Sequence, residues 1–181
     1  MKRFIIVLLI TLYICNLAYA ERKINCEIEN TNAVTFFVEQ LSQPMRLNFV
    51  KYAQSDNNND YWLRVSMNSA NRFMFFAKIK IEDKEFTIFE NQNPTYSQKY
   101  ATMGFNANTG TLTETTYKLP PEVIKAISQS AKPFQLIFNR QTKQNIVCKT
   151  DNSFLNAIKT IISYKYTDKN IFWNEDYTIK H

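Results

Sequence analysis

The chain has a single histidine, His181, the last residue of the sequence. A Ser-His-Asp or Cys-His arrangement would have to take its base from that terminal position, where order is usually lowest. Histidine-based zinc sites lack their ligands for the same reason. The only glycines, Gly104 and Gly110, stand apart, so no glycine-rich phosphate loop exists. So few glycines in a many-turned chain imply that Asn and Asp supply the positive-φ positions. Cysteine is also sparse, at Cys15, Cys26 and Cys148, and no Cys-x-x-Cys spacing points to redox chemistry. Basic residues are spread out, with no block of five or six, which argues against a nucleic-acid partner. No internal repeat occurs.

The N-terminus carries the clearest targeting signal. Lys2 and Arg3 precede an apolar run from Phe4 to Cys15, and Ala18 and Ala20 place small residues where a signal peptidase needs them. Residues 1–20 are therefore expected to be a cleaved signal peptide, and residues 21–181 a single exported globular domain, periplasmic or secreted. The run is short for a membrane span and none follows later, so the mature chain is not expected to be membrane-embedded. Loss of Lys2 and Arg3 lowers the formal charge of +6 by two, leaving a mildly basic protein. Two cysteines survive, and an even count in an oxidising compartment predicts a disulfide between Cys26 and Cys148.

Two-residue periodicity dominates what remains. Phe73, Phe75, Ala77, Ile79 and Ile81 share one face of an extended segment, with Phe76, Lys78 and Lys80 on the other. Glu82 to Glu85 form a polar break before Phe86 and Ile88 resume the alternation, which predicts a hairpin. Similar patterns predict strands at Ile24–Ile28, Met45–Tyr52, Tyr61–Met67, Tyr100–Phe105, Thr111–Tyr117, Phe134–Phe138 and Ile146–Cys148. The Tyr61, Phe73 and Phe86 strands are expected to form one continuous meander, and the threonines of 111–117 to give a wetted face. Residues 32–42 fit either a helix or a strand, and their β-branched and aromatic content favours the strand.

Pro120 and Pro121 open a helix that should stop before Pro133. A second helix begins near Asn152 or Ser153, one of which is expected as its cap, and carries Phe154, Leu155, Ile158, Ile161 and Ile162 at helical spacing. Residues 167–181 form a docked or free tail. The implied class is α+β: an antiparallel sheet or sandwich of about seven to nine strands with one or two helices near the C-terminal end.

Asp56, Asn58 and Asp60 have the spacing of three calcium ligands, but Tyr61 stands where an EF-hand loop needs glycine, and a hairpin turn is expected instead. The carboxylates of Glu82, Asp83 and Glu85, and of Glu175 and Asp176, suit a solvated turn and tail better than a hydrolytic pair. No catalytic residue, cofactor or metal site is assigned. Aromatics are abundant, and Trp62, Phe76, Phe172 and Trp173 are the candidates for lying outside the core as partner anchors. The expected function is that of an exported non-enzymatic binding protein whose partner is another protein of the envelope or host. The alternative is a hydrolase using a carboxylate or hydroxyl in a cleft that sequence does not reveal.

Overall fold

A computed structural model describes residues 22–28, 33–42, 45–68, 76–90, 112–138 and 145–169. In chain order its strands are β1 (Asn25–Ile28), β2 (Val34–Ser42), β3 (Met45–Ser55), β4 (Asn58–Asn68), β5 (Phe76–Ile81), β6 (Lys84–Phe89), β7 (Leu112–Lys118), β8 (Gln135–Phe138) and β9 (Ile146–Lys149). Helix α1 (Pro121–Gln129) follows β7, and α2 (Asn152–Ser163) follows β9 and leads into a 3₁₀ turn at Tyr166–Asp168. Every strand pairing is antiparallel, in one sheet ordered β1-β2-β3-β4-β7 and another ordered β6-β5-β8-β9. The chain is thus α+β, with two antiparallel sheets and two helices among the described residues.

The two-residue period sets the inward faces. Val34, Phe36 and Val38 of β2, Leu47 and Phe49 of β3, and Leu63 and Val65 of β4 are buried in one core with Ala77, Ile79, Ile81, Ile88, Leu136 and Phe138 of the second sheet. Tyr117 meets Phe138 across the sheets with ring centroids 6.1 Å apart. The helices complete the core through Val123 and Ile127 of α1 and Phe154, Leu155, Ile158 and Ile161 of α2. Residues 34–42 are a strand, as their composition favoured.

The sheets also meet at their edges. An isolated antiparallel bridge pairs Glu90 with Tyr117 and joins β6 to β7. At the opposite edge the Gln40 side chain donates to the Lys149 carbonyl at 3.0 Å and accepts from the Asp151 N–H at 3.1 Å. Arg22 adds a bond to the Glu39 carbonyl and an ion pair with Asp151.

Several expectations need correction. β4 and β5 do not belong to one meander: both flanks of β4 are taken, by β3 and β7, and β5 pairs with β6 and β8 in the other sheet. The face of β7 carrying Thr115 and Tyr117 is the buried one, because pairing with β4 turns it toward the core beside Val65 and Leu63. The cap of α2 is Asp151, whose carboxylate accepts from the Phe154 N–H at 2.8 Å; Ser153 donates to Asp151 instead. The β5–β6 turn places Glu82, not Asn or Asp, at positive φ (52°), where its carboxylate accepts from the Ala131 N–H at 2.9 Å and from Ser130 Oγ. That tie to the end of α1 compensates the left-handed backbone.

Cys26 and Cys148 are both free thiols in this structure. Cys26 pairs opposite Phe36 on β2, whereas Cys148 accepts a hydrogen bond from Ser42. Phe36 and Ser42 lie six residues apart on one strand, about 20 Å at ordinary strand rise. That separation far exceeds the reach of a disulfide. The expected Tyr100–Phe105 strand, Phe73, Phe75 and the tail beyond Lys169 lie outside the described residues.

Candidate functional site: an outward row of aromatics and lysines

With the inward faces assigned to the core, the remaining question is which outward side chains gather. On the first sheet, register aligns Phe37, Val50, Trp62 and Lys118 as one row on the face turned away from the core, in which Val50 is buried and Lys118 exposed. The Glu90–Tyr117 bridge carries this row onward. Both bridge residues alternate with outward neighbours, so antiparallel register sets Phe89 beside Lys118, and Phe89 pairs with Phe76 on β5. The row Trp62, Lys118, Phe89, Phe76 therefore crosses from one sheet to the other, each step about 4.8 Å.

Two of the four partner anchors expected from sequence, Trp62 and Phe76, thus lie on one row. Both are half-buried. Between them sit two residues that sequence reasoning did not single out. Phe89 is 65% exposed, the most exposed large apolar side chain of the second sheet. Lys118 holds its ammonium 5.3 Å from the Trp62 ring centroid and 2.8 Å from Asp60 Oδ1. That arrangement places a cation over one face of the indole. Phe172 and Trp173 lie outside the described residues.

Below this row the outward face of the second sheet continues in two more. Thr87, Lys78, Ile137 and Val147 align across β6, β5, β8 and β9, and beneath them Glu85, Lys80, Gln135 and Lys149. Val147 is 51% exposed and Ile137 half-buried, so Phe76, Phe89, Ile137 and Val147 form an apolar group on the outside of the molecule. Lysines border it. Lys78 is bonded to Glu85 at 2.7 Å, while Lys80 and Lys149 are exposed and enter no ion pair among the described residues.

Several charged residues elsewhere are engaged in the fold. On the outward face of the first sheet Arg64 pairs with Glu114, and Arg46 Nε lies 3.0 Å from Glu39 Oε1. Lys51 faces inward and is 2% exposed, and its ammonium donates to the carbonyls of Ile162 and Tyr164 at the end of α2. Burial pushes the Lys51 pKa down, against the opposing pull of Asp168 and Asp56. Lys51 is thus a cap for the negative end of that helix. Asp56 and Asp60 do not converge: Asp56 accepts from the Tyr166 N–H at 2.9 Å, and Asp60 holds Lys118. Burial, reinforced by Glu27, raises the Cys26 thiol to about 12, and burial also raises Cys148, against the bond from Ser42.

No family model, curated protein or solved structure matches this chain. Among the described residues, no helix is long and apolar enough to cross a membrane.

Proposed function

We propose that the protein is an exported binding protein, periplasmic or secreted, that docks a second protein on the outward row Trp62, Lys118, Phe89 and Phe76. The observation that carries this reading is the 65% exposure of Phe89 between Lys118 and Phe76, on the face that also carries Ile137 on β8 and the exposed Val147 on β9. An aromatic side chain held outward on a paired strand loses little conformational entropy on binding and brings a large apolar area, which is why aromatics anchor protein interfaces. The half-buried Trp62 and Phe76 are held by their strands, so the surface is organised before a partner arrives. Export follows from Lys2, Arg3 and the apolar run ending before Ala18 and Ala20.

The test is retention of partners from envelope and host-cell extracts by the mature chain and by a Phe89→Asp, Val147→Asp variant, alongside a panel of hydrolase substrates. Because both side chains are outward, the variant should keep the melting profile of the parent and lose the retained protein. Turnover of any substrate, abolished by one carboxylate or hydroxyl substitution that leaves the fold intact, would overturn the binding reading in favour of a hydrolase.

A further inference from the structure

Deepening that reading, and resting on it, we infer that the outward face of the second sheet takes an extended protein segment that carries carboxylates beside apolar side chains. Three features of the face lead there. The first is its division into two zones. Phe89 and Phe76 lie at one end, Ile137 and Val147 in the middle, and Lys80 and Lys149 at the other end on the row Glu85, Lys80, Gln135, Lys149. Glu85 is occupied by Lys78, so the two remaining ammonium groups leave a net positive end next to an apolar one. A complementary ligand presents negative charge and apolar bulk within a few residues of each other.

The second feature is size. Four strands at about 4.8 Å spacing and four to six residues long make a face of roughly 300 Å². A folded partner of ordinary interface size covers about 800 Å² per side. The face is therefore matched to a single segment lying across it. The third feature is depth. Only Phe89 and Val147 stand well clear of the surface, while Phe76, Ile137 and Trp62 are half-buried. A segment lying flat across the second sheet reaches the four that lie on it, with Trp62 beyond Lys118 on the first sheet. A lipid bilayer needs side chains that protrude past the polar rim into the acyl region, and this face offers few.

The probe is a random copolymer of glutamate and tyrosine, which supplies both chemistries without a fixed sequence. Polyglutamate serves as the charge-only control, and vesicles of phosphatidylglycerol or of phosphatidylcholine serve as the lipid arms. The mature chain is expected to bind the copolymer more tightly than polyglutamate. Lys80→Glu with Lys149→Glu should weaken copolymer binding about tenfold or more, and raising the salt should weaken it in the parent. Phe89→Ser should bring the copolymer down to the polyglutamate level. All three positions are exposed, and circular dichroism and melting profiles should match the parent.

Failure to bind the copolymer, or equal binding by parent and variants, would overturn the inference. Tighter binding to phosphatidylglycerol vesicles, lost in the same variants, would overturn it by making the occupant a lipid surface. The two readings fail separately. If the copolymer is ignored while Phe89→Asp, Val147→Asp still loses a retained partner, the assigned chemistry is wrong and the docking surface stands. If that variant also retains everything the parent does, the surface itself falls.

Discussion

Lys51 carries more of the fold than its residue type suggests. A lysine on an inward strand position would ordinarily be a mistake in a core, since burial disfavours the charged form. Here the ammonium meets two carbonyls at the C-terminal end of α2, in residues 111 and 113 positions away. Nothing local in the Met45–Tyr52 alternation announces that partner, so this residue was illegible in the sequence. Lys51→Met keeps the stem but strands both carbonyls, and should cost about 3 kcal/mol in urea melts. Lys118→Met, at an exposed ion pair, should cost less than about 1 kcal/mol. Equal losses would mean that Lys51 is not a helix cap.

The cysteines give a second check at this scale. The even count was legible, but the separation of the two along β2 was not, because it depends on where β1 pairs with β2 and where β9 approaches its far end. Burial holds both thiols protonated, and the thiolate is the reactive form. Alkylation at pH 8 should therefore be slow in the native protein and should reach both Cys26 and Cys148 in denaturant without reductant. Absence of free thiols in the denatured, unreduced protein would restore the disulfide. A folded thiol pKa raised above the unfolded value also contributes stability that is complete below about pH 8.5 and is lost as the pH rises toward about 12 for Cys26.

Among the elements, those with strong local periodicity were the most legible. The Ala77, Ile79, Ile81 face points inward and Lys78 and Lys80 point outward, as alternation requires. Ile79→Ala should cost about 2 to 5 kcal/mol and Lys80→Ala less than about 0.5 in denaturant melts. Similar losses would mean the register of β5 is wrong. The proline pair set the start of α1, and the apolar spacing set the buried stripe of α2. Its cap was misplaced by one or two residues because Asp151, Asn152 and Ser153 all have capping chemistry.

Asp151 also has a pH signature. Partial burial would raise its carboxyl, but hydrogen bonds from Arg22, Phe154 N–H and Ser153, with the Arg22 charge, hold it below the usual range. The resulting stability is present above the unfolded pKa, near pH 3.9, and is lost as the pH falls through the lower folded value. Asp151→Ala should thus cost about 1 kcal/mol at neutral pH, with the gap to the parent narrowing below about pH 4. A constant gap across that range would remove the ionised carboxylate from the cap.

Across the molecule, the α+β class was legible while the partition of strands was not. Neighbouring strands in sequence usually pair, which is why β4 and β5 were expected side by side. The chain instead changes sheets between them, and β7 returns to fill the flank of β4. That arrangement creates the candidate surface. Trp62 and Phe76 could be assigned outward faces from alternation alone, but only the Glu90–Tyr117 junction puts them on one row with Lys118 and Phe89 between.

The most direct measurement is photocrosslinking in cells that export the protein, with benzoylphenylalanine placed at position 89 and, as a control, at the exposed position 125 on α1. A protein-docking row predicts a discrete protein adduct at position 89 that is absent at position 125 and is weakened by Lys80→Glu with Lys149→Glu. No adduct at position 89 above the control, from a variant that is exported and folded, would contradict it.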